Sequence, residues 1–240
     1  KAKGQKKRIE NPAYNHTEAI EFALKQLTNP EYNVIDSLDE IEAIGHRLVH
    51  GGEKIAQSVV IDQNVIDILK ECTDLAPLHN PACILGIEAC QNVMPNKPMV
   101  GVFDTAFHQS IPKQRYIYPI PYEYYEKYGV RKYGFHGTSH MFVSQRLAEI
   151  ENKPIEDLKI VTCHLGQGAS ICAIEGGKSV DTSMGLTPLR RNSYGNQKWG
   201  FRSIYSFVFN EKRKIISRRN GRHFKQTIRS ASNFWISTRF

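Results

Sequence analysis

The stretch LKIVTCHLGQGASICAIEGGKSVDTS, residues 158–183, decides the fold class. LKIVTCHL reads as a strand, ASICAIEG as a second and KSVDTS as a third. Gly176 and Gly177 turn the last pair, and the Gly-x-Gly of residues 166–168 turns the first. Immediately upstream, MFVSQRLAEI (141–150) is expected to be a helix, capped by Thr138 or Ser139. Further out, MVGVF (99–103) is a short continuous apolar run, the mark of a strand buried on both faces. AIGHRLVHGG (43–52) supplies another strand, ending in two glycines. Helices are expected over 15–28, with Asn15 as cap and Glu18 completing a capping box, and in SLDEI, where Ser37 and Glu40 form a second box. Asp62 caps NVIDILKECTDLA, whose apolar set is Val65, Ile66, Ile68 and Leu69. Asn80 and Pro81 read as the N-cap and first residue of another helix. A Tyr/Pro-rich connector spans 115–128. Strands alternate with helices, so the class is α/β.

Composition narrows the function classes. With 40% apolar and 10% aromatic residues the chain can bury a core. No stretch approaches the roughly 18 apolar residues of a membrane span. The opening KAKGQKKRIENPAY has a basic run with no apolar segment after it, so no signal peptide is recognisable. It also lacks an initial Met, and the chain is expected to begin downstream of the gene's start. The five cysteines (72, 83, 90, 163 and 172) include no C-x-x-C pair and read as buried thiols of a cytoplasmic protein, with no support for zinc. The net charge of +8 is unevenly spread. Residues 190–240 carry 13 Lys and Arg against one acid, Glu211, which leaves 19 basic and 23 acidic residues before them. The tail is thus about +12 and the rest about −4. At face value such a tail would suit nucleic acid.

Four clusters carry chemistry, each at the end of a strand or the start of a loop, where open α/β sheets bind ligands. In GHRLVHGG (45–52), Arg47 presents a planar fork suited to a carboxylate or phosphate, or to a structural ion pair. In FDTAFH (103–108), Asp104 at a strand end can orient a metal, a base or a nucleophile, or cap the next segment. In GFHGTSH (134–140), His136 lies in a loop and His140 on the following helix; a lone loop histidine is more often structural than catalytic. In HLGQGAS (164–170), the Gly-x-Gly hairpin offers backbone N–H groups to phosphates, or is an ordinary tight turn.

Taken in order, GHRLVHGG, LAPLHNP, FDTAFH, IPYEYY, RKYGFHGTSH, HLGQGAS and DTSMGLTPL resemble the signatures of the acetate kinase family, over about residues 15–189. The resemblance implies the acetate and sugar kinase/Hsc70/actin fold, two ribonuclease-H-like domains. Residues 1–108 would be the remainder of the N-terminal domain, and 109–189 the start of the C-terminal ATP-binding domain. It implies reversible transfer of the ATP γ-phosphoryl group to acetate, giving acetyl phosphate and ADP, with Mg2+ as cofactor. A propionate kinase or other short-chain acyl kinase is the alternative. By matching position, Arg47 would hold acetate or the phosphoryl group, Asp104 would position the attacking carboxylate and His136 would stabilise the transition state. His164, Leu165, Gly166, Gln167 and Gly168 would form part of the ATP phosphate loop, while Val49, Leu78, Phe135 and Pro188 would line the acyl pocket. No metal ligand is expected among these residues. The family further implies a homodimer in the cytoplasm, with neither nucleic acid nor membrane as partner.

Elementary chemistry agrees with those roles. Phosphoryl transfer asks mainly for alignment and positive charge around three equatorial oxygens. A carboxylate acceptor is already ionised at neutral pH. Asp104 is therefore expected to act by positioning or through magnesium-bound water.

Three departures stand out. Gln167 stands where the family carries Asn, pushing the amide one methylene towards the phosphates. The family's leading strand and its N-C-G-S-S-S-like phosphate loop do not occur. After Leu189 the family's E-G-x-x-M-G-T-R-S-G-D-type run is replaced by RRNSYGNQKWGF. Codons permitted for these residues read LEGIAMGTRSGD when moved by one base, and the glycine that follows T-R-S is forced, by Trp199. The expectation is a one-base slip near Pro188 and Leu189, with 190–240 an out-of-frame basic tail that was never selected to fold. It removes the case for a nucleic-acid-binding tail, and the chain as written is expected to be inactive because the second catalytic arginine lies in the other frame.

Overall fold

The computed structural model describes residues 16–32 and 34–188. The caps expected at Asn15 and the tail beyond Leu189 lie outside the described residues. The described chain forms two compact units, one from 16–51 and 57–103, the other from 52–56 and 104–188.

The first unit holds α1 (His16–Leu27), β1 (Ile44–Leu48), β2 (Val59–Val60), α2 (Gln63–Glu71), α3 (Asn80–Val93) and β3 (Met99–Phe103). The sheet order is β1-β3-β2, with β1 parallel and β2 antiparallel to the central β3. Leu48, Leu69, Ile87 and Phe103 are fully buried in its core. A Cβ on Gly101 would come 2.8 Å from Leu48 Cδ1 and 3.1 Å from Phe103 Cε2, so this glycine makes room for the two largest neighbours. The expectation that MVGVF is buried on both faces is corrected. Met99, Gly101 and Phe103 are buried, but Val100 and Val102 on the other face are only partly covered.

The Ser37–Glu40 capping box is present, on a single 3-10 turn, Leu38–Glu40. Asp62 caps α2 by accepting a hydrogen bond from Val65 N at 2.9 Å, and Val65, Ile66, Ile68 and Leu69 are its buried stripe. Asp62→Ala should cost about 1 kcal/mol, the usual worth of such a cap, read as a lower urea midpoint with an unchanged slope. Asn80 departs from expectation. His79 takes the N-cap position and Asn80 is the first helical residue. Its fully buried amide donates to His50 O (3.0 Å) and Leu69 O (3.1 Å) and accepts from His50 N (3.3 Å). A buried loop backbone needs those partners more than an exposed helix end needs a cap.

The second unit holds α4 (Lys113–Tyr116), α5 (Glu123–Tyr128), α6 (Gly137–Glu151), β4 (Lys159–Leu165), β5 (Ala169–Glu175) and β6 (Lys178–Thr182). The Tyr/Pro-rich connector thus contains two short helices. β4, β5 and β6 form the expected antiparallel meander in that order. Gly176 (φ 57°) and Gly177 (φ 74°) supply the two positive dihedrals a two-residue hairpin requires. Period-two alternation puts Ile160, Thr162, Ser170, Cys172 and Ile174 on the buried face, and Val161, Cys163, Leu165 and Ile171 on the exposed one. Ile160, Cys172 and Ile174 pack with Leu158 and Phe107.

α6 begins earlier than expected. It starts at Gly137, with His136 at the N-cap in the left-handed region (φ 61°, ψ 23°), and neither Thr138 nor Ser139 is the cap. Gly137 explains the shift. Its N–H donates to Asp104 O at 2.9 Å, and any Cβ there would overlap that oxygen and lie 2.9 Å from Phe107 Cβ. The helix is anchored by this close backbone approach, which only glycine permits.

Candidate functional site

Arg47, Val49 and Leu78 belong to the first unit. Arg47 sits on β1 opposite Val102 of β3, with its side chain exposed. Val49 follows β1 and is partly buried, and Leu78 precedes α3 and is 82% exposed. The segments carrying Val49 and Leu78 meet at the Asn80–His50 hydrogen bonds.

Asp104, Phe135, His136, His164 to Gly168 and Pro188 belong to the second unit. Asp104 is buried, and its carbonyl holds the residue after His136. The Asp104 backbone carbonyl makes this junction by accepting from Gly137 N–H. Phe135 is 1% exposed, and Pro188 is partly buried after β6. His136 reaches the hairpin. Its ring stacks on that of His164 with centroids 3.9 Å apart and planes 22° from parallel. Both turn glycines lie against these rings. A Cβ on Gly166 would be 3.0 Å from His164 Nε2, and one on Gly168 would be 3.2 Å from His136 Cε1 and 3.4 Å from its Nε2. The Gly-x-Gly pattern is therefore a packing requirement of two imidazoles as well as a turn. Leu165 and Gln167 are exposed at the hairpin, and Gly166 N donates to Gly168 O at 3.0 Å within the turn. That N–H is thus committed locally and does not point outward as a phosphate cradle would need.

Sequence reading missed the groups that hold the histidines. His136 Nδ1 bonds Ser170 Oγ at 2.8 Å, and the same oxygen bonds His140 Nε2 at 2.8 Å. His140 Nδ1 bonds Thr162 Oγ1 at 2.7 Å. His164 Nδ1 bonds Ser139 Oγ at 2.9 Å. The signal was available: Thr162 and His164 share a strand face, Ser170 is the cross-strand partner of His164, and His136 and His140 are one helical turn apart. His108 was quoted in FDTAFH without a role. It is fully buried, with Nε2 3.0 Å from Phe135 O and Nδ1 2.8 Å from Ser179 Oγ. A carbonyl can only accept, so His108 carries its proton on Nε2 and accepts from Ser179.

Burial pushes His108 down to about 4, against weaker raising effects from its Phe135 hydrogen bond and Asp104. Burial also pushes His140 down to about 4, helped by the nearby imidazoles of His108, His136 and His164. Both rings are neutral at neutral pH. Burial raises the Cys172 thiol, beside Ser179, to about 11, so it stays protonated. Among the described residues no group of three or more His, Cys, Asp or Glu could hold a metal ion. No helix among them is long and apolar enough to cross a membrane.

Comparison with known proteins places this arrangement. The chain is 62% identical over 181 residues to the acetate kinase of Clostridioides difficile strain 630, covering 75% of this chain and 46% of that one. Its fold matches the crystal structure of Porphyromonas gingivalis acetate kinase with a TM-score of 0.70 and 51% identity, over 72% of this chain and 43% of that one. It also matches a propionate kinase from Francisella tularensis subsp. tularensis SCHU S4, with a TM-score of 0.71 and 40% identity over 91% of this chain and 54% of that one. The chain spans about half the length of the relatives it matches. The acetokinase family model matches residues 1–198, extending beyond both limits set by the motifs, 15 and 189. With four-fifths of its length matched, the chain belongs to the acetokinase family.

Proposed function

We propose that this chain carries part of an acetate kinase, which transfers the ATP γ-phosphoryl group reversibly to acetate to give acetyl phosphate and ADP. Family membership supports the reaction class. The observation that carries the local reading is the meeting, in one unit, of the Asp104 backbone, the His136 ring and the Gly166–Gly168 hairpin. In this reading His136 donates a hydrogen bond to the phosphoryl oxygens as their charge spreads. Asp104 orients the acceptor, which needs no general base because it is already an anion. Arg47 binds acetate or the phosphoryl group through its guanidinium fork. His164, Leu165, Gly166, Gln167 and Gly168 border the nucleotide phosphates. Val49, Leu78, Phe135 and Pro188 set acyl size. Propionate differs from acetate by one methylene, worth about 1–3 kcal/mol in such a pocket, so both acids belong in the test.

Mg2+ belongs to this reading as the ion that accompanies ATP. Among the described residues no group of three or more His, Cys, Asp or Glu forms a cage for it. A cytoplasmic homodimer that needs neither nucleic acid nor membrane completes the reading, with domains at 1–108 and 109–189 and an out-of-frame tail from 190.

A chimera tests it. Residues 16–188 replace the corresponding segment of the Clostridioides difficile acetate kinase, and acetyl phosphate is trapped as hydroxamate. The folded chimera should turn over acetate, and His136→Ala in it should lower kcat at least about tenfold, the loss of one transition-state hydrogen bond. A folded chimera that is inert, or one indifferent to His136→Ala, would refute the reading.

A further inference from the structure

Three groups behind His136 have a proton count that admits few arrangements. Thr162, Ser170 and His140 are all buried, each less than 5% exposed. Among the described residues, the only side-chain hydrogen bond of Thr162 Oγ1 is to His140 Nδ1. Ser170 Oγ touches two imidazole nitrogens, His140 Nε2 and His136 Nδ1. A hydroxyl has one proton to give, and a neutral imidazole has one N–H and one lone pair.

Suppose His140 carried its proton on Nδ1. It would then donate to Thr162, and the buried Thr162 proton would have no acceptor among the described residues. Suppose instead that both histidines donated to Ser170. The Ser170 proton would then have no acceptor among the described residues. One order uses every proton. Thr162 donates to His140 Nδ1, His140 Nε2–H donates to Ser170, and Ser170 donates to His136 Nδ1. An unmatched buried hydroxyl is costly enough to decide between these orders. The neutrality of His140, set by its burial, is what lets it accept on one side and donate on the other.

We propose that Thr162, His140 and Ser170 are positioning residues, an ordered hydroxyl–imidazole chain that holds His136 neutral with its proton on Nε2. That nitrogen lies on the ring edge beside Gly168. His136 then presents an N–H to an anion at the hairpin without having to lose or gain a proton. The consequence for phosphoryl transfer rests on the role proposed above for His136, but the order of the chain does not.

The test is the tautomer of His136 in the 240-residue chain labelled with 15N-histidine, read from long-range 15N–1H correlation spectra. The wild type should show a protonated Nε2 and a lone-pair Nδ1. Thr162→Val removes the hydroxyl that, among the described residues, favours one order, so the Nδ1–H form of His136 should rise about fivefold or more. Thr162→Ser, which keeps the hydroxyl, should restore the wild-type pattern. A purely structural role for Thr162 would leave the tautomer where it was. The proposal is overturned by a wild-type His136 protonated on Nδ1, or by a Thr162→Val spectrum unchanged at His136. If Thr162→Val does not fold, the wild-type spectrum alone decides. Full turnover of the His136→Ala chimera beside the expected tautomer would sink the catalytic role and leave the chain standing, and the reverse result would do the opposite.

Discussion

Acidification from about pH 7.5 to pH 4 is expected to destabilise the second unit by roughly 3 kcal/mol for each of His108 and His140. The sign follows from where the protons go. In the unfolded chain both titrate near 6.5, while in the folded chain burial holds both near 4. Between those values the unfolded state binds protons that the native state refuses, so unfolding is favoured as pH falls. The stability is intact above 6.5 and is lost progressively towards 4. Urea unfolding followed at several pH values should show the midpoint falling through that window. His140→Gln should flatten the slope by about one proton. A midpoint independent of pH between 4 and 7 would mean that the two rings take up protons as readily in the native state as in the unfolded one.

Gly137→Ala should be strongly damaging to the second unit. The added carbon would overlap Asp104 O, the acceptor of the Gly137 N–H bond, and press on Phe107 Cβ. Neither obstacle is the end of a flexible side chain, so relief requires the backbone at Asp104 or at the start of α6 to move. Overpacking costs about 1–3 kcal/mol, occasionally more, and a clash with backbone belongs at the upper end of that range. The movement would also separate Asp104 from His136. Loss of several degrees in melting temperature, together with activity loss in the chimera beyond what the remaining folded fraction explains, is the expected pair of results. Gly45→Ala, where an added Cβ meets nothing within 4 Å, is the matched control. Equal melting of the two variants would contradict the crowding argument.

Local pattern made much of the fold legible. The β4–β5–β6 meander was readable because each strand alternates and each turn carries its glycines. Asp62 was readable because its cap bonds a group three residues away. Asn80 and the cap of α6 were misread for a common reason. Both answer to partners distant in sequence, His50 and Asp104, which no window around either residue contains. The same holds for the site. His136, His164 and the hairpin could be named from the sequence, but the Ser170 hydroxyl shared by two imidazoles depends on strand register. Register becomes visible only once the sheet is assembled.

The left-handed backbone at His136 has a consequence for anyone who would harden this protein against heat. An L-residue with a bulky ring gives up about 1 kcal/mol to sit there, and asparagine would give up less. Against that saving, Asn would give up the stack on His164 and the bond to the buried Ser170 hydroxyl, so heat alone does not favour the exchange. Backbone preference and ring contacts pull this single codon in opposite directions.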